Sequence, residues 1–332
     1  MTADVYLKTY LEPLSPWLGR ADITDILVNR PGEVWIEEAG GRMHCVEAPS
    51  LSASTLQRLA QQIAAVSYQG VNREHPLLAA TLPSGERVQV VAPPATRSHL
   101  AMAIRKQVVA EMTLDAYERA GAFRSVRLDR VAEGPPVDPK LDALLEAGRV
   151  HEFLCQAVRS GKTILISGGT ATGKTTFLNA LLKEIPADDR VIAIEDTPEI
   201  ELSRPNSLGL VAVKGELGEA RVGVNELLQA ALRMRPDRLL VGEIRGAEAF
   251  TFLRAINTGH PGSMTTVHAD SPRGALEQVA FMSLQAGVNL GRSEVIDYAR
   301  EVIDVIVQLE RVGGRRGVAA IAFNRSPHAA VR

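Results

Sequence analysis

The run Gly168-Gly169-Thr170-Ala171-Thr172-Gly173-Lys174-Thr175 fits the pattern G-x-x-x-x-G-K-[ST]. Glycines let a backbone wrap closely around a phosphate, and successive N–H groups at a helix start point at the anion. Lys174 is then placed to reach the β- and γ-phosphates of a nucleotide, and the Thr175 hydroxyl to ligate Mg²⁺, with Thr176 in the same turn. The competing explanation is a chance Gly-rich turn. Against it, the apolar TILIS precedes the loop and the helical TTFLNALLKEI follows it, the strand and helix that a phosphate loop needs.

Two further apolar runs end in acids. RVIAIEDTPE carries Glu195, and RMRPDRLLVGEIRG carries Glu243. Acids directly after a strand sit at the carboxyl edge of an open α/β sheet, where ligands bind. There a carboxylate can polarise attacking water or organise Mg²⁺, so Glu195 and Glu243 are candidates for both tasks, with Thr175 beside the metal. A solvated strand-end acid is the bland alternative to each. The segment TGHPGSMTTVHA brackets a strand with His260 and His268. Each is read either as a hydrogen-bonded structural histidine or as a contact to the γ-phosphate; metal ligation is weak, because Cys45 and Cys155 are distant in sequence.

These residues need elements that bring strand ends together. Helical stretches near 140–147, 150–160, 174–185, 221–234, 246–257 and 272–286 alternate with apolar strands at 163–167, 191–194, 208–213, 238–242 and 263–267. That alternation predicts an α/β domain over 140–332, a sheet sandwiched by helices, with a terminal strand pair at 303–309 and 317–323. Residues 1–130 read as a smaller α+β domain. Its strands are 23–28, 33–38 and 42–46, with Gly40-Gly41 as a hairpin turn, then 87–92 and 100–106, separated by Pro93-Pro94. A helix spans 51–66, with Ser50 and Ser52 both placed to cap it. Residues 131–139, the end of a Gly- and Pro-containing stretch from 121, read as a linker.

Composition narrows the class. The 332 residues are 45% apolar and 23% charged, as in folded proteins, and their length suits about two domains. With 37 basic and 39 acidic residues the net charge is −2, which argues against tight intrinsic nucleic-acid binding. Two cysteines make no disulfide framework and suit a reducing cytosol. No run approaches the ~20 apolar residues of a membrane helix, and the first residues lack a signal-peptide pattern. A cytoplasmic location is expected, with binding to a membrane complex left open.

Together GGTATGKTT, IEDTPE, LRMRPDRLLVGEIRG and TGHPGSMTTVHADSP resemble the hexameric secretion ATPases. These carry a Walker A loop, an acidic Asp box, a Walker B with GE and a His box, in this order. DITDILVNRPGEVWIEE and LPSGERVQVVAPPAT extend the likeness to most of the chain, and the set is most similar to the type IV secretion ATPases encoded as the eleventh VirB component. The resemblance implies a RecA-like P-loop C-terminal domain, a homo-hexamer, and ATP hydrolysis with Mg²⁺. It also implies inner-membrane partners of a secretion or conjugation system, peripheral association with that membrane, and a translocated DNA or protein substrate. It makes Lys174 and Thr175 the phosphate and Mg²⁺ residues, Glu195 and Glu243 the base and metal-organising acids, and His268 a γ-phosphate contact. Arg87 and Arg105 best match the arginines that the family's N-terminal domain places over the nucleotide. Thr172 stands where Ser is common in the loop, a position read mainly through its backbone. A type II secretion or type IV pilus ATPase, a nucleotide-dependent docking scaffold and a RecA-like DNA motor remain as alternatives.

Overall fold

Alternating and continuous apolar strands sort the chain into two sheets of different kinds. The computed structural model describes residues 2–39, 41–106, 112–129, 138–213, 222–312 and 315–323. It divides into two compact units, residues 1–109 with 213–223, and residues 110–212 with 224–332.

The first unit holds helices α1 (Thr2–Leu11) and α2 (Ser15–Leu18), strands β1 (Ile23–Val28), β2 (Gly32–Glu38) and β3 (Met43–Ala48), helix α3 (Ala53–Val66), and strands β4 (Leu77–Thr81), β5 (Arg87–Val91) and β6 (Ala101–Arg105). The sheet order is β3-β2-β1-β6-β5-β4, antiparallel throughout. One face carries Ile26, Val28, Val34, Ile36, Val88, Val90 and Ile104, buried with Leu56, Leu59, Ala60 and Ile63 of α3. Those helix positions recur at i, i+3, i+4 and i+7, the stripe that one helical face presents. Of the two candidate caps it is Ser52 whose side chain accepts from the Thr55 N–H, at 3.1 Å. Gly40 of the expected turn between β2 and β3 lies outside the described residues; Gly41 has φ +82°, where glycine carries no steric cost.

The second unit holds α4 (Leu114–Arg119), β7 (Arg127–Asp129), α5 (Pro139–Glu146), α6 (Val150–Arg159), β8 (Ile164–Gly168), α7 (Lys174–Leu182), β9 (Val191–Glu195), β10 (Ser207–Val211), α8 (Val224–Ala231), β11 (Arg238–Val241), α9 (Glu248–Asn257), β12 (Met264–Val267), α10 (Pro272–Leu284), α11 (Arg292–Val302), β13 (Val305–Val312) and β14 (Arg315–Phe323). Its sheet runs β10-β9-β11-β12-β8-β13-β14-β7. From β10 to β13 all neighbours are parallel, β14 returns antiparallel, and β7 lies parallel to β14. Successive strand residues enter opposite cores: Ile164, Ile166, Val191 and Ala193 pack with α5, α6 and α7, whereas Leu165, Ile192 and Ile194 pack with α8 to α11. A sheet covered on both faces explains why these strands read as unbroken apolar runs.

The expected first domain extended to residue 130, but 112–129 pack with the second unit. Tyr117 of α4 meets Phe177 of α7 edge to face at 5.2 Å, and Arg127, Leu128 and Asp129 pair with Ala320, Ile321 and Ala322 of β14. Most of the expected linker, 131–137, lies outside the described residues, and its last two residues begin α5, where the Asp138 side chain accepts from the Leu141 N–H.

Candidate functional site

Because β9, β11, β12 and β8 are parallel neighbours, their carboxyl ends share one edge of the sheet. The glycine-rich loop leaves β8 there and enters α7. Gly173 caps the helix with φ +89°, and Ala171 is left-handed at φ +61°, a conformation that non-glycine residues adopt rarely. A β-carbon on Gly168 would lie 2.5 Å from Thr172 Oγ1 and 3.2 Å from the Leu309 carbonyl, so the turn tolerates no side chain there. The Thr172 hydroxyl donates to the Gly169 carbonyl at 2.9 Å, so its side chain as well as its backbone shapes the loop. Phe177 N–H to Gly173 C=O is the first helical bond, which leaves the N–H groups of Lys174, Thr175 and Thr176 without a helical acceptor.

Lys174 folds back over its own loop. Its Nζ donates to the carbonyls of Gly168 and Gly169 at 3.0 and 3.2 Å, lies 3.2 Å from His268 Nε2 and is 3.8 Å from Glu243 Oε1. Burial holds this ammonium below the ordinary lysine value; the Glu243 carboxylate opposes that shift and Arg245 adds to it. Glu243 Oε1 is 2.9 Å from His268 Nε2, and Glu243 Oε2 accepts from Arg245 Nε at 2.7 Å. Arg245 Nη1 also lies 3.5 Å from Asp196 Oδ2. For Arg245, burial is outweighed by the Glu243, Asp196 and Glu199 carboxylates, and its pKa rises. A cleft of about 310 Å³ adjoins these groups, lined by Ile244, Arg245, Val267, His268, Gln278 and Met282.

The remaining acids divide their tasks. Glu195 is 5% exposed, and its Oε1 accepts from the N–H groups of Glu199 and Ile200, both at 2.7 Å, which bends the loop after β9 back on itself. That bend delivers Glu199 to α7, where its Oε2 accepts from Thr175 Oγ1 at 3.1 Å and its carbonyl accepts from Asn179 Nδ2 at 2.9 Å. Glu199 and Arg245 are thus functional candidates beyond the two acids singled out from sequence. Their signal was position alone, inside the same two motifs as Glu195 and Glu243.

The histidines separate cleanly. His268 follows β12 and joins the cluster, whereas His260 precedes that strand and its Nδ1 lies 3.0 Å from the Ala255 carbonyl at the end of α9. In the first unit, Arg87 and Arg105 face each other across β5 and β6, and Arg105 faces Asp25 across β1 and β6. Arg105 Nε donates to Asp25 Oδ1 at 2.9 Å while its side chain stays 64% exposed.

The donor set suits a magnesium nucleotide. Three N–H groups at a helix start, one ammonium and one hydroxyl gather at a glycine-rich turn in which Gly168 leaves no room for a side chain and Gly169 stands open. Among the described residues no cluster of three or more His, Cys, Asp or Glu is disposed to hold a metal alone. Mg²⁺ is usually held by one or two protein groups together with phosphates and waters, which Thr175 and Glu243 can supply.

Residues 8–311 match the Type II/IV secretion system protein family. The type IV secretion system protein VirB11 of Bartonella henselae is 37% identical over 329 residues, covering 95% of this chain and 92% of that protein. The crystal structure of the VirB11 ATPase of Brucella suis, in complex with sulphate, aligns with 35% identity and a TM-score of 0.54 over 99% of this chain and 97% of that one. The pilus retraction motor PilT with bound ADP shares the fold at a TM-score of 0.62 but only 20% identity, covering 96% of this chain and 83% of PilT. The RecA-like fold is therefore that of a secretion ATPase: the chain belongs to the type II/IV secretion system protein family, among its VirB11-type members.

Proposed function

We propose that this protein hydrolyses ATP to drive a type IV secretion system, working as a homo-hexamer that docks on inner-membrane components and moves a DNA or protein substrate. The reading rests on one observation above all: the buried Lys174 ammonium, Glu243 and His268 meet over the phosphate loop. Identity of 37% to a type IV secretion protein against 20% to the pilus motor favours this branch over the pilus alternative. No helix among the described residues is long and apolar enough to cross a membrane.

In this reading the N–H groups at the start of α7 hold the phosphates, and Lys174 exchanges the Gly168 and Gly169 carbonyls for β- and γ-oxygens. Mg²⁺, when bound, neutralises developing charge on the phosphates. Thr175, released from Glu199, would hold it. Glu243 orients the attacking water and takes up its proton, while Arg245 fixes that carboxylate and His268 reads the γ-phosphate. Glu195 shapes the Asp-box loop and stays close to the metal-organising role. Arg87 and Arg105 are nucleotide-binding candidates on the family resemblance, Arg105 being held by Asp25 within the first unit.

Steady-state phosphate release by the full chain, with sizing in the presence of ATP, tests the proposal. Lys174→Ala should remove ~10²-fold or more of the turnover while the variant stays folded. Near-normal turnover in that variant would sink the assignment. A parent protein that binds ATP without releasing phosphate would point to the scaffold alternative instead.

A further inference from the structure

The groups gathered around the phosphate loop all stand on one flank. In the sheet order β11-β12-β8-β13-β14, Glu243 and His268 follow β11 and β12, on one side of β8. Lys174 leans toward that side. The other side belongs to the β13–β14 hairpin. Leu309 of β13 pairs with Gly168, the last residue of β8, yet β13 continues to Val312, and β14 begins at Arg315. The hairpin therefore rises past the sheet edge beside the loop.

Arg316 is the residue it brings there. A β-carbon built on Gly173 would lie 3.2 Å from Arg316 Cδ and within 3.8 Å of its Nε and Nη1, so the arginine stem rests on the open face of the last loop glycine. Arg316 is exposed, and its cross-strand partner is Arg311, another cation. Like charges directly opposed in an antiparallel pair cost stability. Among the described residues no carboxylate forms an ion pair with Arg316. Its charge does reach the Tyr117 hydroxyl, but burial pushes that group up to about 12, so Tyr117 is neutral near pH 7 and offers no counter-charge. A guanidinium beside a phosphate loop, opposed by a second arginine and with no ion-pair partner among the described residues, is poised for an anion from solution.

The nucleotide's own chemistry says which part. In such loops the lysine marks the β–γ end of the phosphate chain, and the N–H groups cradle the α- and β-phosphates. Lys174 leans toward the β12 flank, so the α end of the chain falls toward the β14 flank. We propose that Arg316 binds the α-phosphate of the nucleotide and holds ATP and ADP alike. The proposal rests on the nucleotide-binding reading above and adds a residue to it. An arginine that touches a group unchanged in the reaction contributes uniform binding, which appears in KM and Kd and far less in kcat.

The test uses the full chain, with a fluorescent ATP analogue and ADP for binding and phosphate release for turnover. Arg316→Gln should weaken ATP and ADP by the same factor, ~10-fold, and raise KM similarly, while kcat at saturating ATP falls less than ~3-fold. Arg316→Lys should recover part of the loss, because it keeps the charge and loses the planar fork. Thermal unfolding without nucleotide should leave Arg316→Gln at or above the parent, since a repelling pair has been relieved, and Arg316→Lys near the parent, since it keeps the charge opposite Arg311. Unchanged affinity in Arg316→Gln would overturn the proposal, as would a fall in kcat at constant KM, the mark of an arginine acting only in the transition state. If the glutamine variant fails to fold, the lysine variant alone decides, by unequal or unchanged ATP and ADP affinities against an equal loss. A parent protein that binds no nucleotide would refute the underlying reading instead.

Discussion

Glu243 Oε1 and His268 Nε2 lie 2.9 Å apart, joining the residues that follow β11 and β12. The strands that carry them are held in register by more than the ladder. The Thr265 hydroxyl donates to the Val241 carbonyl and the Thr266 hydroxyl to the Gly242 carbonyl, each at 2.8 Å. Gly242 lies close to its neighbour: a β-carbon there would sit 3.3 Å from Glu195 Cγ and would press on that side chain by a few tenths of an ångström. The acid and the histidine are thus positioned by rigid strand ends, which suits a site where a water must be aligned within tenths of an ångström.

The two glutamates should separate experimentally. Glu243→Gln is expected to bind ATP and lose ~10²-fold or more in turnover, as expected for a positioned base. Glu195→Gln removes a charge that accepts two backbone N–H bonds, and should destabilise the protein by about 1.5–3 kcal/mol. Denaturant unfolding beside phosphate release checks both; equal stability in Glu195→Gln would contradict the structural role of that carboxylate.

Lys174 makes stability depend on pH. Its folded value is depressed below 10.5, chiefly by burial, so below that value the unfolded chain binds this proton more readily and stability rises with pH. The penalty is fully present below the depressed folded value, shrinks between the two values and is gone above 10.5. Lys174→Met should therefore be at least as stable as the parent near pH 7, with its advantage shrinking as pH approaches 10.5. Guanidinium titrations at neutral and alkaline pH measure the two slopes, and an advantage that grows with pH would show the sign to be wrong.

Arg105→Ala in the full chain should bind ATP yet turn over ~10³-fold more slowly if this arginine stabilises phosphoryl transfer. Its ion pair with Asp25 is largely exposed, so the fold should lose under ~1 kcal/mol. Turnover equal to that of the parent would leave Arg105 as a surface partner of Asp25.

Far from the nucleotide edge, Gly262 makes room for a buried arginine. A β-carbon on Gly262, where φ is +72°, would lie 1.4 Å from Arg238 Nη1, and Arg238 Nε donates to Asp189 Oδ2 at 2.7 Å. Gly262→Ala must displace the guanidinium and strain the backbone, and is expected to cost about 2 kcal/mol or more. The same measurement on Gly41→Ala, where nothing lies within 4 Å, isolates the backbone part of that loss.

Local features were legible in the sequence because neighbours along the chain create them. The phosphate loop is one run of residues, α3 and α9 announce themselves by a helical stripe, and the buried strands by unbroken apolar runs. Elements that lean on distant partners were not. Helix α11 is diluted by Arg292, Glu294, Asp297, Arg300 and Glu301, and gains its place by packing Val295, Ile296 and Ala299 into the core shared with α9 and α10. Strand β7 is three residues long and exists through its ladder with β14, which its own composition does not reveal.

The site divides in the same way. By its own residues the sequence determined a phosphate loop, two strand-end acids and a histidine-bracketed strand, since each is a matter of type and spacing. Tertiary structure alone decided that His268 joins the cluster while His260 binds a helix end, that Glu195 clamps a loop while Glu243 faces Lys174, and that Glu199, Arg245 and Arg316 stand near the loop. The reason is the strand order β9-β11-β12-β8-β13-β14, which departs from chain order: side chains become neighbours through pairings between distant segments, and their hydrogen bonds are chosen only after those pairings form.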